Sequence, residues 1–130
     1  MNAVTDSALT RASLPEIGAP LLNGVFAGIS LHGDRPVALV LLADDGGNRP
    51  HGDALAWARA LDADLPSRTD MLVLYRNRKA LGFESGLFWT NETDDQDAGF
   101  AWGQSFDYGG QGLGLKSRDF RCRAVRRVAI

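Results

Sequence analysis

The chain has 130 residues and a formal net charge of −2, which suits one domain that folds without disulfides or bound metal. Hydrophobic residues make up 45% and charged residues 23%, as in an ordinary globular protein. Because basic residues are not in excess, we expect no nucleic-acid partner and no general attraction to an acidic membrane.

Two strands are predicted in the first third of the chain. Residues 1–14 are small and polar without periodicity, which is typical of a flexible N-terminal tail. Gly24–Leu31 alternates apolar residues, and Val37–Ala43 is an apolar run of the length of a buried strand, so His32–Pro36 is predicted to join them in a hairpin. Asp44–Gly52 is predicted to be a loop. The residues expected on one face of the first strand are Val25, Ala27, Ile29 and Leu31.

Helical periodicity replaces alternation in the middle of the chain. The first helix is predicted over Asp53–Leu61, with Asp53 as its N-cap. The second helix is predicted over Ser67–Leu81, where Ser67 and Asp70 have the spacing of a capping box. The residues expected to form the buried stripe of the second helix are Met71, Leu72, Leu74 and Tyr75.

The rest of the chain is predicted to form four short strands. With no internal repeat and no long linker, the order ββααββββ predicts a single α+β domain over residues 15–130. No segment has the pattern of a signal peptide or a transmembrane helix, so we expect synthesis in the cytosol and no membrane insertion. The four strands are predicted at Gly86–Thr90, Gly99–Phe106, Gly112–Lys116 and Phe120–Val128.

A loop with four acids lies between two tryptophans, at residues 91–97. Carboxylate oxygens are ligands that calcium prefers, so a calcium site is one interpretation of this loop. The spacing lacks the glycine and the distal bidentate acid of an EF-hand. A hydrated surface is therefore the preferred interpretation, with calcium left open as the alternative and no metal expected. The four acids are Glu92, Asp94, Asp95 and Asp97.

The sequence contains no recognisable catalytic or cofactor-binding motif. Cys122 lies between two arginines in an alternating run, which is typical of a buried small hydrophobe rather than a nucleophile. The distant His32 and His51 predict neither a zinc site nor a base for that cysteine. No G-x-S-x-G is present, and the glycines of Tyr108–Lys116 match no phosphate-binding loop. We expect no cofactor and no enzymatic activity; a base at Asp95 or Asp97 is the weakest alternative.

Residues 116–127 carry six basic side chains against one acid, Asp119. One interpretation is a solvated face that partly neutralises the acidic loop, and this is the preferred one. The other is a basic strand that faces an acidic partner.

Aromatic and short polar side chains are interleaved between residues 86 and 119. Flat rings beside short polar groups suit a recognition surface, because they give contact area at small entropy cost. A small domain also needs bulky core residues, so Trp89, Trp102 and Phe106 are expected in the core. Tyr108, in a polar glycine-rich turn, is expected at the surface.

Five segments, in their order along the chain, resemble the Lcl C-terminal-domain-like family, a domain of unknown function in bacteria and their phages. They are a tryptophan-bearing helix motif, a Leu-Pro-Ser-Arg helix start, a tryptophan-threonine strand, an Ala-Trp followed by a phenylalanine, and an Arg-x-Arg-Ala-Val-Arg ending. The resemblance covers residues 20–128, although the Thr-Asn-Glu-Thr of the third segment departs from the usual serine-rich form. The segments are Ala54–Ala58, Leu65–Arg68, Trp89–Thr93, Ala101–Trp102 with Phe106, and Arg121–Arg127.

The resemblance implies a C-type-lectin-like fold of the formylglycine-generating-enzyme type. In such a fold the first and last strands pair, two helices flank the sheet, and loops after the second helix build a binding face. Some relatives are variable proteins of diversity-generating retroelements, and others are adhesion modules that bind glycans or proteins. The calcium motifs of true lectins and the paired catalytic cysteines of the enzyme are absent from this sequence, so neither activity is implied.

The favoured hypothesis is a non-enzymatic binding module, encoded by a phage or prophage, that recognises a host protein or a surface glycan through residues 89–119. One alternative is a structural virion or assembly protein, in which the same face contacts another subunit of a homo-oligomer; either protein would be virion-associated. Another alternative is an intracellular inhibitor of a host system. The residues predicted to contact the ligand are Asn91, Glu92, Asp94, Asp95, Gln104, Asp107, Tyr108, Gln111, Lys116 and Arg118.

Overall fold

A computed structural model describes residues 9–83 and 85–130 and has an α+β fold, as predicted from the sequence. Over these residues a seven-stranded sheet has the order β1-β2-β3-β7-β4-β5-β6, in which only the β4–β7 pair is parallel. The helices follow β3 in the chain. The strands are β1 Pro20–Leu21, β2 Gly24–His32, β3 Arg35–Arg49, β4 Leu87–Thr93, β5 Phe100–Ser105, β6 Gln111–Leu115 and β7 Phe120–Ala129, and the helices are α1 His51–Ala60, α2 Arg68–Arg76 and α3 Arg78–Leu81.

The observed order of elements differs from ββααββββ in two ways, and one strand pairing and one strand length also differ from the prediction. A two-residue strand, β1, precedes the first predicted strand, and a third short helix, α3, follows a break at Asn77. The expected pairing of the first and last strands is not found: the first predicted strand, β2, pairs with β1 and β3, whereas β7 pairs with β3 and β4. β3 continues to Arg49, because its pairing with β7 resumes after irregularities at Leu41/Asp45 and Asp45/Asn48. Most of the predicted loop at residues 44–52 is therefore strand.

Because β2 contains a bulge, Ile29 and Leu31 do not share the face of Val25 and Ala27, as predicted for all four. The pairing with β3 shifts between Phe26 and Gly28, so one extra residue moves the following side chains to the other face. Ile29 and Leu31 are consequently 40% and 50% exposed, whereas Ser30 is buried. Gly28 has a φ of 126°, and a Cβ there would lie 2.7 Å from Val73 Cγ1, so the bulge requires glycine.

The capping box of α2 is confirmed, although other helix predictions need correction. The backbone N–H of Asp70 donates to Ser67 Oγ at 3.0 Å, and the Ser67 N–H donates to Asp70 Oδ2 at 2.9 Å. Leu72 lies outside the predicted buried stripe and is 55% exposed. α1 begins at His51 after Pro50, so Asp53 lies in the first turn and is not the N-cap.

A buried ion network attaches α2 to β7. Arg127 is 3% exposed and contacts Asp70 Oδ2 at 2.7 Å through Nη2 and Asp64 Oδ2 at 2.9 Å through Nη1. Ser30 donates its hydroxyl to the second oxygen of Asp70 at 2.6 Å, and Asn91 donates its amide to Asp64 at 2.9 Å. Burial alone would lower the pKa of Arg127, but Asp70 and Asp64 together raise that pKa above its usual value. The network thus joins β2, α2, β4 and β7.

The arginines of β7 are largely used inside the domain. Arg127 belongs to the buried network, and Arg121 contacts Asp45 at 3.4 Å. Arg123 and Arg126 donate to backbone carbonyls of neighbouring segments. The four arginines of β7 therefore contact carbonyls and carboxylates of the domain itself. Lys116 and Arg118 precede the strand, and for them both interpretations stay open.

The predicted tail covers residues 1–14, of which the structure describes residues 9–14. Arg11–Ser13 form a short 3-10 helix. Leu9 and Leu14 pack against a cluster of buried apolar side chains that includes Phe26 and Val40. In the part of the chain that the structure describes, no helix has both the length and the hydropathy to cross a membrane.

Candidate functional site

A cluster of polar and aromatic groups around Arg68 joins α2 to β4, β5 and β6. The guanidinium carbon of Arg68 lies 3.6 Å from the centroid of the Trp102 ring, a cation–π contact. Its Nε donates to Gln111 Oε1 at 2.9 Å, and its backbone carbonyl accepts from Gln111 Nε2 at 2.8 Å. The Arg68 N–H donates to Glu92 Oε2 at 2.7 Å. We call Arg68, Glu92, Trp102, Gln104 and Gln111 the Arg68 cluster.

Gln104 is a buried member of this cluster and contacts Gln111 rather than solvent. Its side chain is 0% exposed. Its Oε1 accepts from Gln111 Nε2 at 3.0 Å, and its Nε2 donates to the Ser105 carbonyl at 3.0 Å. The prediction of Gln104 as a contact residue is therefore corrected, since both ends of the amide are occupied inside the protein.

The turn between β5 and β6 projects Tyr108 into solvent. Tyr108 is 91% exposed, as its glycine-rich surroundings predict. Ser105 Oγ accepts from the backbone N–H groups of Asp107 and Tyr108, at 3.2 and 3.1 Å. Gly109 has a φ of 83° and lies so close to Tyr75 that a Cβ would be 2.7 Å from that ring. Ser105 and Tyr75 therefore hold the backbone on either side of Tyr108, while the ring of Tyr108 contacts solvent.

The predicted contact residues divide between the two ends of β6. Gln111 lies at the Arg68 cluster, and Asp107 and Tyr108 occupy the turn just before it. Lys116 and Arg118 follow the other end of the strand, about 13 Å away for five residues,. The N–H of Lys116 donates to the Gly99 carbonyl, so Lys116 lies beside the acidic loop rather than beside Tyr108.

Hydrogen bonds between residues two positions apart stabilise the acidic loop. Asp94 and Asp97 accept from the N–H groups of Gln96 and Gly99, at 3.4 and 2.9 Å, which is turn chemistry. Asp95 is exposed. Asn91 turns inward to the ion network and is only half-exposed. Among residues 9–83 and 85–130, no group of three or more His, Cys, Asp or Glu side chains is arranged to hold a metal ion.

The two tryptophans that flank the acidic loop have different environments. Trp89 is 0% exposed, donates from Nε1 to the Arg49 carbonyl at 2.8 Å and stacks on Phe120 with centroids 4.0 Å apart. This confirms it as a core residue. Trp102 was expected in the core, but it is half-buried, and Arg68 covers one face of its ring. Trp102 pairs with Leu113 of the edge strand β6.

No protein-family model matches this chain, and a search of the curated proteins finds no match.

Cys122 and His51 are both buried. Among the described residues, no hydrogen bond joins the two side chains. Burial raises the pKa of the Cys122 thiol to about 11, so the thiol stays protonated at neutral pH. His51 Nε2 contacts the Thr90 carbonyl at 2.8 Å and must donate, since a carbonyl oxygen only accepts. The His51 ring also meets the edge of Trp89, at 4.9 Å between centroids. The expectation that His51 lies in a turn is wrong.

His51 is expected to make the fold less stable in mild acid. Burial lowers the pKa of His51, the hydrogen bond to Thr90 partly offsets this, and Lys116 lowers the pKa further. The unfolded chain then binds a proton below about pH 6.5 that the native state resists, so stability falls as the pH drops. We expect the Tm to fall between pH 7 and pH 5, and to fall less in His51→Gln. An equal fall of the Tm with pH in wild type and in His51→Gln would refute the assignment.

Sequence reasoning missed Arg68, Asp64 and Asp70 as organisers of the site. Arg68 was visible in the Leu65–Arg68 segment of the family resemblance, but only as a helix start. Asp64 forms an isolated bridge with Val125, a long-range pairing with no local sequence signal. Asp70 was predicted only as a member of the capping box. The box uses one hydrogen bond of its carboxylate, and Ser30 and Arg127 supply the others.

Proposed function

We propose that this protein is a non-enzymatic binding module, encoded by a phage or prophage, that recognises a host protein or surface glycan. The binding face consists of the Arg68 cluster and the turn of residues 105–110. Several features support this. The turn offers an exposed aromatic ring, the cluster offers a half-exposed indole and a guanidinium, and Glu92 and Asp107 lie at its border. Aromatic rings and arginine are the side chains most enriched among dominant contacts in interfaces.

The exposure of Tyr108 is the observation that carries the proposal. A tyrosine that is 91% exposed gains nothing for folding from its ring, whereas the hydrogen bonds to Ser105 hold its backbone in place. A preorganised aromatic side chain loses little conformational entropy when a partner covers it. The acidic loop with Lys116 and Arg118 would then form the far border of the face.

We further propose that the fold is C-type-lectin-like and related to variable proteins of diversity-generating retroelements. The helices α1, α2 and α3 precede four C-terminal strands. The proposed face includes the turn between β5 and β6, which follows the second helix as the family resemblance implies. The position of β7 between β3 and β4 departs from the expected pairing of first and last strands. The family proposal therefore rests on the five sequence segments and on the location of the face.

Replacing Tyr108 by alanine tests the binding proposal. We expect binding to intact host cells or extracted envelope components to fall at least tenfold, about 1.4 kcal/mol or more, because an interface anchor is lost. The fold should remain intact by circular dichroism. Leu31→Ala removes another exposed apolar side chain, on β2, and serves as the matched control. Equal binding by both variants and wild type would contradict the proposal.

A structural virion or assembly role is the second candidate, and the edge strand β6 favours it. Leu113 and Leu115 are 45% and 44% exposed on this strand, and an edge strand with apolar side chains can pair with another chain. Sedimentation at micromolar concentration distinguishes the two roles. A stable oligomer that Leu113→Lys dissociates would support assembly, whereas a monomer would support the binding module.

A further inference from the structure

A cleft lies at the β1–β2–β3 end of the sheet, whereas the proposed binding face lies at the β4–β5–β6 end. It has a volume of about 580 Å³ and lies between the β1–β2 turn, the middle of β3 and α3. This volume falls in the range of small-molecule sites. Its lining is mainly aliphatic, and Arg123 of β7 is its only charged residue among those the structure describes. We call it the Arg123 cleft; its lining includes Leu22, Val25, Leu41, Leu81 and Arg123.

Arg123 is half-buried, and in the described part of the chain no carboxylate forms an ion pair with its guanidinium. Its Nη2 donates to the Leu42 carbonyl at 2.8 Å, and its carbon lies 5.0 Å from the Phe83 ring centroid. The Nε–H has no hydrogen-bond acceptor among the described residues. A buried donor without an acceptor is costly, and most such groups in proteins have a partner.

The nearest acids do not supply this partner. Asp45 contacts Arg121 at 3.4 Å and accepts the N–H of Gly47. Burial lowers the pKa of Arg123 and is the largest effect on it; Asp45 and Asp44 raise that pKa and Arg121 lowers it. The attraction of the two acids does not offset the loss of solvation. Among the described residues, no carboxylate therefore hydrogen-bonds to this cation directly.

The β1–β2 turn places an apolar side chain at the border of the cleft at a conformational cost. Leu22 and Asn23 have φ values of 46° and 65°, which are the left-handed angles that hairpin turns usually assign to glycine or asparagine. Leucine is unfavourable at such an angle, and Leu22 is 50% exposed. A strained and exposed leucine beside an apolar cleft is a reason to look for a function there.

We propose that the Arg123 cleft binds a small apolar monocarboxylate. The aliphatic walls and Leu22 would contact its hydrocarbon chain, while its carboxylate would accept hydrogen bonds from Arg123. Charge-assisted hydrogen bonds to a carboxylate are stronger than those to a neutral acceptor, and a carboxylate accepts from two guanidinium N–H groups at once. The site is separate from the Arg68 cluster, so it does not depend on the proposed recognition of a host.

Titration with octanoate, followed by amide chemical shifts, tests this assignment. We expect saturable shifts confined to residues 20–25, 41–43 and the neighbourhood of Arg123. Octanamide, which has the same chain without the charge, should bind roughly tenfold more weakly, as expected for one lost charge-assisted contact. Equal binding of octanoate and octanamide, or shifts that do not saturate, would overturn the proposal.

Two methionine variants locate the charge that octanoate requires. Arg123→Met keeps a long apolar side chain against Phe83 and is expected to weaken octanoate binding roughly tenfold. Arg121→Met removes a neighbouring cation that does not line the cleft, and it should change the affinity less than about twofold. Equal losses in both variants would show general electrostatic attraction and refute a site at Arg123. If Arg123→Met does not fold, the comparison of octanoate with octanamide on wild type decides alone.

Discussion

Replacing Asp70 by asparagine is expected to lower the free energy of unfolding by about 3–5 kcal/mol, because it leaves a buried arginine without its main charge partner. Asp70 is 0% exposed and accepts hydrogen bonds from Arg127, Ser30 and Ser67. Asparagine keeps the shape but presents an amide where these donors need an acceptor. In a domain of this size the Tm should fall by on the order of 10 °C or more.

Urea unfolding of Asp70→Asn beside Asp95→Asn measures this effect. Asp95 is exposed, so its replacement should change the free energy of unfolding by less than about 0.5 kcal/mol. The two variants alter the net charge equally, and the difference between them therefore isolates the buried network. A loss below about 1 kcal/mol in Asp70→Asn would show that Asp64 alone compensates Arg127.

Replacing Trp89 by alanine is expected to cost about 3–5 kcal/mol of stability, since the largest fully buried side chain would leave a cavity,. The substitution also removes the hydrogen bond to Arg49 and the stack on Phe120. The Arg49 carbonyl would then lack this donor near the junction of β3 and α1, which adds to the cost.

Trp102→Ala is the matched control, because it removes the same side chain at the other end of the acidic loop. Trp102 is half-buried and its main described ring partner is Arg68, so its loss should cost less than about 2 kcal/mol. Binding of the proposed ligand should change in the opposite order: Trp102→Ala weakens binding in a folded protein. Equal destabilisation by both variants in urea would contradict the assignment of Trp89 to the core and of Trp102 to the binding face.

Local signals in the sequence predicted the parts of the fold that depend on neighbouring residues. The Ser67–Asp70 box starts α2 as expected, and Gly82, with a φ of 80°, ends α3. The apolar run at residues 37–43 became part of a buried central strand. These features were predictable because hydrogen bonds and periodicity within a few residues determine them.

Long-range geometry accounts for the parts that the sequence did not predict. Simple alternation places Ile29 on the face of Val25 and Ala27, and only the pairing of β2 with β3 reveals the bulge that turns it outward. The extension of β3 to Arg49 depends on its pairing with β7, some 75 residues away. The alternating sequence of β7 does not indicate that this strand lies in the middle of the sheet.

The candidate site was predicted better at its turn than at its strands. Tyr108 in a polar glycine-rich turn could only project outward, and it does. Gln104 could not be assigned, because a glutamine on an edge-adjacent strand is exposed or buried according to what crosses above it. Here Gln111 and Ser105 occupy both ends of its amide. The contact between Arg68 and Trp102 joins two elements 34 residues apart and needed the structure.

A scan of all single substitutions, sorted once for binding to host cells and once for resistance to proteolysis, tests the central claim most directly. We predict that substitutions which abolish binding in a folded protein cluster at Arg68, Glu92, Trp102, Tyr108 and Gln111. Substitutions at Asp70, Trp89 and Gln104 should instead fail both selections. If the positions that affect binding alone lie elsewhere on the surface, or if no such positions exist, the proposed binding face is wrong.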